Sequence, residues 1–350
     1  MATLGRSPND KSELEELERD SQKYRAVQVV GKGAYGVVVL ARERATDAPV
    51  AIKMIMRGGK TNDRVEREVL NHRMLCHPHV IRFNEVFLTA GNLCIAMEYA
   101  ERGTLLSYVQ ARKRLTEDEA RHFFQQLMMG LDYCHKMGVV SRDIKLENTL
   151  VDGCNPPNLK ICDFGYSKHE IFHSAPSSRV GTPSYLAPEI VTNKPGFSYK
   201  AKISDIWSCG VFLYAMVVGK YPFDRAQDKG KSNRLYNLLQ RIVKVDYELP
   251  TGDLSPALCD LIDRMLKYDP DERITIGEIM NHAWFREKIP AGLLEMNQQL
   301  RIAKCRQGEE AIKGILRESL KVPEIEVDAM IDEEEARLKE SDMEQDSYEQ

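Results

Sequence analysis

The apolar positions of this chain change period partway along it. From Val27 they come in short runs, Val27-Gln28-Val29-Val30, Val37-Val38-Val39-Leu40-Ala41 and Val50-Ala51-Ile52-Lys53-Met54-Ile55, with the length and β-branched content of strands. Gly31-Lys32-Gly33-Ala34-Tyr35-Gly36 separates the first two, so three strands are predicted with a glycine-rich turn between the first pair. Past Thr104 the period turns helical. Thr116-Glu117-Asp118-Glu119 has the form of a capping box and opens a segment with Ala120, Phe123, Phe124, Leu127, Met128 and Leu131 at i, i+3 and i+4 spacing. Residues 1–23 are polar and charged, with Ser12-Glu13-Leu14-Glu15-Glu16-Leu17-Glu18 as the one helical hint, and are expected to form an arm or a short docked helix.

These patterns give an α+β chain without internal repeats. A small β-rich lobe is expected over 24–98, a hinge over 98–102, a larger mainly helical lobe over 103–286, a helical segment over 287–320 and an acidic segment over 321–350. Composition excludes a disordered chain, because 43% of the 350 residues are apolar and 29% are charged, with a net charge of −4. The charge is uneven. Residues 321–350 hold 3 basic and 12 acidic residues, a net of −9, which leaves +5 on residues 1–320. No run approaches the roughly 18 consecutive apolar residues of a membrane helix, and the first residues carry no apolar h-region, so the chain is expected to stay inside the cell. Its 8 cysteines form no C-x-x-C pair, which suggests neither a zinc knuckle nor a disulfide framework; reduced thiols are expected, mostly filling the core.

Gly31, Gly33 and Gly36 form G-x-G-x-x-G, by itself a weak signal that most often marks a dinucleotide-binding turn between a strand and a helix. Here the turn joins two strands, which fails that context and with it a nicotinamide oxidoreductase. A hairpin turn without side chains can instead fold over a triphosphate, its N–H groups reaching oxygens that a Cβ would block. An ordinary glycine hairpin is the plain alternative, and order and spacing downstream remove it. Lys53 in Val50-Ala51-Ile52-Lys53 is followed 15 residues later by Glu68, in an amphipathic stretch with Val65, Val69 and Leu70. Then come Ser141-Arg142-Asp143-Ile144-Lys145-Leu146-Glu147-Asn148, Asp163-Phe164-Gly165 and Ala187-Pro188-Glu189.

On these motifs residues 24–286 resemble a serine/threonine protein kinase. The resemblance implies the bilobal protein kinase fold, with a small β-rich N-lobe holding one regulatory helix and a larger, mainly α-helical C-lobe. It implies ATP and Mg²⁺, with nucleotide contacts at Val30, Gly31, Gly33, Gly36, Val38, Lys53, Glu98 and Ala100 and with Glu68 paired to Lys53. Asp143, Lys145 and Asn148 are the expected catalytic residues: Asp143 orients the substrate hydroxyl and Lys145 neutralises the γ-phosphate. Asn148 and Asp163 are expected to hold Mg²⁺, a hard cation suited to oxygen ligands. Asp205 resembles the aspartate that anchors the catalytic-loop backbone, and Glu189 with Arg273 a buried bracing ion pair.

Leu146-Glu147-Asn148-Thr149-Leu150, residues 160–168, Glu68-Val69-Leu70-Asn71-His72-Arg73 and Phe123-Phe124-Gln125-Gln126-Leu127 sharpen the resemblance to the plant sucrose-non-fermenting-related kinases of subfamily two, which respond to osmotic stress and abscisic acid. It extends over about residues 24–320. It implies a helix whose stripe of Ala311, Ile312, Ile315, Leu316 and Leu320 packs on the small lobe beside the Glu68 helix. The acidic segment from Asp332 is implied to take part in docking type 2C protein phosphatases. Activation by phosphorylation is implied at Ser174 and Ser178, with an upstream kinase as regulator, Ser177 as a further candidate and Thr182 shaping the substrate platform. Protein substrates are the expected partners, with neither nucleic acid nor membrane, and the expected location is cytoplasmic and nuclear. No D-x-D-x-D-G loop occurs in the acidic segment, so calcium sensing by the chain itself is not expected.

Two positions depart from the kinase pattern. Ser141 stands where a histidine packs beneath the Phe of Asp163-Phe164-Gly165, so the column of His72, Phe164 and residue 141 is expected to lose apolar bulk and turnover to be reduced or more activation-dependent. Thr104, in Arg102-Gly103-Thr104-Leu105, stands where the family has a glutamate that contacts ribose or a substrate arginine. Glu101 is expected to substitute for it in part, and Glu147 remains as an arginine reader. These two positions keep an alternative open, a pseudokinase or weakly active nucleotide-binding scaffold.

Overall fold

The computed structural model describes residues 8–33, 36–58, 63–164, 168–169, 182–192, 199–250, 252–299, 302 and 307–321. They belong to two compact units, the first built from residues 1–66, 83–99 and 305–350 and the second from residues 67–82 and 100–304.

The first unit holds a helix, α1 (Pro8–Asp20), and the strands β1 (Tyr24–Gly33), β2 (Gly36–Glu43) and β3 (Pro49–Met56). After α2 (Asp63–His72), which leads into the second unit, come β4 (Phe83–Leu88) and β5 (Asn92–Glu98). The five strands form an antiparallel sheet in the order β1-β2-β3-β5-β4. Strand periodicity splits the sheet into two faces. On one, Val39, Ile52 and Ala96 are aligned across β2, β3 and β5 and form a core with Tyr24, Met54, Cys94 and Leu17 of α1. The opposite face carries the aligned row Gly31, Val38, Lys53 and Ile95.

Helix α1 answers the expectation of an arm or a short docked helix in favour of a docked one. Its few apolar residues could not hold it, although Leu17 is fully buried. Acidic side chains supply the rest: Glu16 accepts from Gly91 N–H and Asn92 Nδ2, both at 2.9 Å, Glu18 from Ala26 N–H at 2.9 Å, and Asp20 from Ala90 N–H at 2.8 Å. Three of these bonds give partners to backbone N–H groups, those of Ala26, Ala90 and Gly91.

Helix α11 (Glu309–Ser319) packs on β4 and β5. The buried face is Ile312, Leu316 and Ser319, with Ile315 half-buried, whereas Ala311 and Leu320 of the expected stripe are exposed. Leu320 lies past the last helical turn, and Ser319 takes its place by returning its hydroxyl to Leu316 C=O at 2.6 Å. The Gln307 amide completes the seam, donating to Val86 C=O at 2.7 Å and accepting from Val86 N–H at 2.8 Å, as a neighbouring strand would.

The second unit contains α3 (Leu105–Arg112), α4 (Glu117–Lys136), β6 (Val139–Val140), β7 (Thr149–Val151), β8 (Leu159–Ile161) and β9 (Lys168–His169). It continues through α5 (Pro188–Thr192), α6 (Ala201–Val218), α7 (Arg234–Lys244), α8 (Pro256–Met265), α9 (Ile276–Asn281) and α10 (Ala283–Arg286). The predicted capping box at Thr116 is present, with Glu119 N–H bonded to Thr116 Oγ1 and the Glu119 carboxylate to Thr116 N–H at 3.0 Å. Helix α6 has the length and apolarity of a membrane-crossing helix, but 72% of it is buried inside the fold, where Trp207 stacks on Phe223. Arg273, buried, meets Glu189 through two bonds of 2.8 and 2.9 Å, the bracing pair the resemblance implied. Of the seven cysteines among the described residues only Cys94, Cys134 and Cys209 are buried, and Cys76 and Cys154 are exposed, so core filling accounts for fewer of the thiols than the sequence suggested.

Candidate active site

The catalytic-loop segment 141–148 is hung from α6. Asp205 accepts from Ser141 N–H at 3.2 Å and Arg142 N–H at 2.9 Å, and His135 Nε2 lies 2.8 Å from the same carboxylate. Arg142 sits at φ +64, an unfavourable backbone region for a side-chain-bearing residue, and the anchored flanks hold it there. Its guanidinium donates to Tyr199 Oη at 3.1 Å.

This anchoring presents Asp143, which is buried, to three partners. Asn148 Nδ2 donates to Asp143 Oδ2 at 2.7 Å, and Lys145 Nζ lies 2.8 Å from the same oxygen. Lys145 also donates to Thr182 Oγ1 at 2.7 Å, and Thr182 donates in turn to Asp143 Oδ1 at 3.4 Å. A carboxylate, an ammonium and a hydroxyl thus converge on one spot. The β7–β8 ladder adds the last group: Cys162 N–H bonds Asn148 C=O at 3.0 Å, so Asp163 follows directly beside Asn148, at φ +65.

The protein kinase domain family matches residues 24–285. The chain belongs to the protein kinase family. Among its curated relatives is the serine/threonine-protein kinase SAPK9 of Oryza sativa subsp. japonica, 49% identical over 79% of this chain and 75% of the relative. Two from Arabidopsis thaliana are the serine/threonine-protein kinase SRK2I, 46% identical over 85% of this chain and 80% of the relative, and SRK2E, 48% identical over 79% and 75%. These are kinases of the plant sucrose-non-fermenting-related subfamily two, and the chain is a serine/threonine protein kinase that uses ATP with Mg²⁺.

The donor set suits that metal. Asn148 donates its amide N–H groups to Asp143, so its side-chain carbonyl oxygen is not used in that pair, and this oxygen with the Asp163 carboxylate would be the metal's protein ligands. Both are hard oxygen donors, and Mg²⁺ takes one or two such protein ligands with phosphate oxygens and water completing its shell.

Of the nucleotide residues expected in the first unit, Gly31, Val38 and Lys53 fall on one sheet face. Val38 and Lys53 are cross-strand partners, Gly31 pairs with Val38, and Val30 precedes Gly31 on β1. Gly33 and Gly36 face each other where β1 ends and β2 begins. Gly36 has φ +146, and a β-carbon there would run into Met54 C=O, so no other residue fits. Glu98 is the last residue of β5, and Ala100, two residues on, is buried. Glu68 is buried on α2. Ser174, Ser177, Ser178 and Gly165 lie outside the described residues.

Phe164 is fully buried against the His72 ring, with centroids 5.1 Å apart. Ser141 is 2% exposed, and its hydroxyl has no partner among the described residues. Thr182, expected to shape the substrate platform, bonds both Lys145 and Asp143. Tyr185 and Tyr221, which hold the Glu147 carboxylate, were not legible as site residues. The sequence signal for all three was slight, position just before Ala187-Pro188-Glu189 for two of them and a tyrosine two residues past Gly219, which ends α6, for the other.

Proposed function

We propose that Asp143 accepts the proton of a substrate serine or threonine hydroxyl while that oxygen attacks the γ-phosphorus of ATP. The new O–P bond forms as the bond to the ADP oxygen breaks, and the proton passes to the Asp143 carboxylate and from there to solvent. Lys145 offsets charge on the transferred phosphoryl group, which has little covalent demand to meet and is catalysed mainly by positioning and electrostatics. Asn148 and Asp163 would hold Mg²⁺, which would supply charge neutralisation at the phosphate oxygens. Val30, Gly31, Gly33, Gly36, Val38, Lys53, Glu98 and Ala100 contact the nucleotide, and Glu68 pairs with Lys53. The observation that carries this reading is the convergence of Lys145, Asn148 and Thr182 on one buried carboxylate.

The kinase domain is residues 24–286, and residues 287–320 regulate it. Osmotic-stress and abscisic-acid signalling is the setting that membership of subfamily two supports. Phosphorylation at Ser174 and Ser178 by an upstream kinase switches the enzyme on, since each phosphate adds roughly −1.5 to −2 charges and three acceptor oxygens that Arg142 can meet. A type 2C phosphatase reverses it, docking on the acidic segment, and the kinase works in cytoplasm and nucleus.

The deciding experiment is radiolabelled phosphate transfer from Mg-ATP by the purified chain to itself and to a basic protein, beside Asp143→Asn. Transfer lost in the variant is the expected result. No transfer, even after treatment with an active relative, would overturn the assignment in favour of a nucleotide-binding scaffold.

A further inference from the structure

Within the first unit, the tip of the hairpin between β4 and β5 is held from two sides. On one side stand carboxylates of α1: Asp20 accepts from Ala90 N–H at 2.8 Å and Glu16 from Gly91 N–H at 2.9 Å. On the other stands Arg57, the residue after β3. Its Nη1 donates to Thr89 C=O at 3.3 Å and to Ala90 C=O at 3.2 Å, and its backbone N–H donates to Gly91 C=O at 2.9 Å. The two sets of bonds fall on the same peptide groups. The peptide joining Thr89 to Ala90 and the one joining Ala90 to Gly91 each give their N–H to a carboxylate of α1 and their C=O to the guanidinium.

Arg57 also reaches the C-terminal helix. Its Nη2 donates to Glu318 C=O at 3.2 Å, in the last turn of α11, with the Glu318 carboxylate 3.8 Å away, and Gly58 N–H donates to Ser319 C=O at 2.8 Å. The last carbonyls of a helix lack partners within it and carry partial negative charge, so a cation is favoured there. The Arg57 side chain is 14% exposed, which leaves little room for water or salt to screen these bonds. One guanidinium therefore serves both the hairpin and α11, and its planar fork cannot turn toward one without turning from the other. A peptide whose N–H is bonded to a carboxylate is polarised and presents a stronger acceptor at its oxygen.

We propose that α1 and α11 dock cooperatively, coupled through the hairpin and Arg57, so that freeing the N-terminal helix loosens the C-terminal one. Glu16 and Asp20 orient two peptide groups, those peptides place the guanidinium, and the guanidinium caps α11. Coupling of this kind is reciprocal, so release of α11 weakens the hold on α1 by the same factor. The inference stands on these bonds and holds whether or not α11 regulates catalysis. A partner or a modification that lifts α1 is then felt at α11 without touching it.

The test is hydrogen exchange on the full chain. Glu16→Ala combined with Asp20→Ala removes the two acceptors while keeping a good helix former at both positions. Exchange through residues 312–319 should quicken roughly 5- to 20-fold, within the usual range of coupling between sites, while α4 in the second unit keeps its protection. Arg57→Lys, which keeps the charge and loses the fork, should quicken exchange both in α11 and through residues 12–20 of α1. In the Arg57→Lys background the two alanines should add nothing further at α11, because the path is already cut. Unchanged protection of α11 in the alanine variant would overturn the proposal. So would full additivity of the two changes, or an equal quickening in α4, which would mark a general loss of stability.

Discussion

Lys145 donates to the Thr182 hydroxyl at 2.7 Å, which ties the ammonium that faces Asp143 to a residue 37 positions away. Under the proposed reading, in which Lys145 offsets charge on the transferred phosphoryl group, this bond orders the ammonium and makes Thr182 a partner of the catalytic groups.

Thr182→Val is therefore expected to lower kcat by roughly 10- to 100-fold, because small misplacements of catalytic groups have effects of this size. Thr182→Ser keeps the hydroxyl and should stay close to the parent. Steady-state kinetics on a serine peptide check this, and a valine variant with full kcat would refute it.

Ser141 buries a hydroxyl with no partner among the described residues, an arrangement that costs about 1–3 kcal/mol. Ser141→Ala should raise the melting temperature by about 2–4 °C, as expected for about 1 kcal/mol in a domain of this size. Ser141→His, which supplies the bulk that the resemblance puts beneath Phe164, should raise both melting temperature and kcat. Calorimetry together with kinetics tests the pair; a histidine variant unchanged in both would remove the packing account.

Gln307 imitates a strand against β4. In Gln307→Glu the amide donor is gone and a carboxylate faces Val86 C=O, so the seam of α11 should weaken by about 1–2 kcal/mol. Faster hydrogen exchange at the Val86 amide and through residues 309–319 is the expected signature. Unaltered exchange would mean that Ile312 and Leu316 hold the helix unaided.

His77 and His79 are buried, and burial lowers them to about 3 and about 4. His77 stacks on Tyr133, and His79 Nδ1 lies 3.1 Å from Leu159 C=O. Because the folded values lie below the unfolded one near 6.5, both rings are neutral and their contribution is complete above that pH; it is lost as pH falls toward 3–4. Each histidine should add about 1.4 kcal/mol per pH unit of slope at mid-window. Urea unfolding between pH 7 and 5 should show that slope, and His79→Gln should flatten it. A slope unchanged in the variant would refute the assignment.

The strands from Val27 to Ile55, the capping box at Thr116 and the loop motif of Asp143, Lys145 and Asn148 were legible because each rests on near-neighbour chemistry. Alternating apolar residues choose a strand, a threonine and a glutamate three apart close a helix end, and a motif keeps its residues within one loop. Helix α1 was only half legible. Its apolar face is narrow, and what holds it is acceptors from Glu16, Glu18 and Asp20 meeting the Ala26 N–H on β1 and the Ala90 and Gly91 N–H groups of the hairpin between β4 and β5.

The sequence by itself determined the α+β architecture, the catalytic-loop motif and the family to which the chain belongs. Tertiary structure alone decided that Thr182 joins Lys145 and Asp143, that Glu101 turns onto Gly153, and that Tyr185 and Tyr221 take hold of Glu147. The physical reason is the same in each case. A hydroxyl or carboxylate has several partners within reach of its rotamers, and only the packing of distant elements leaves one of them in place.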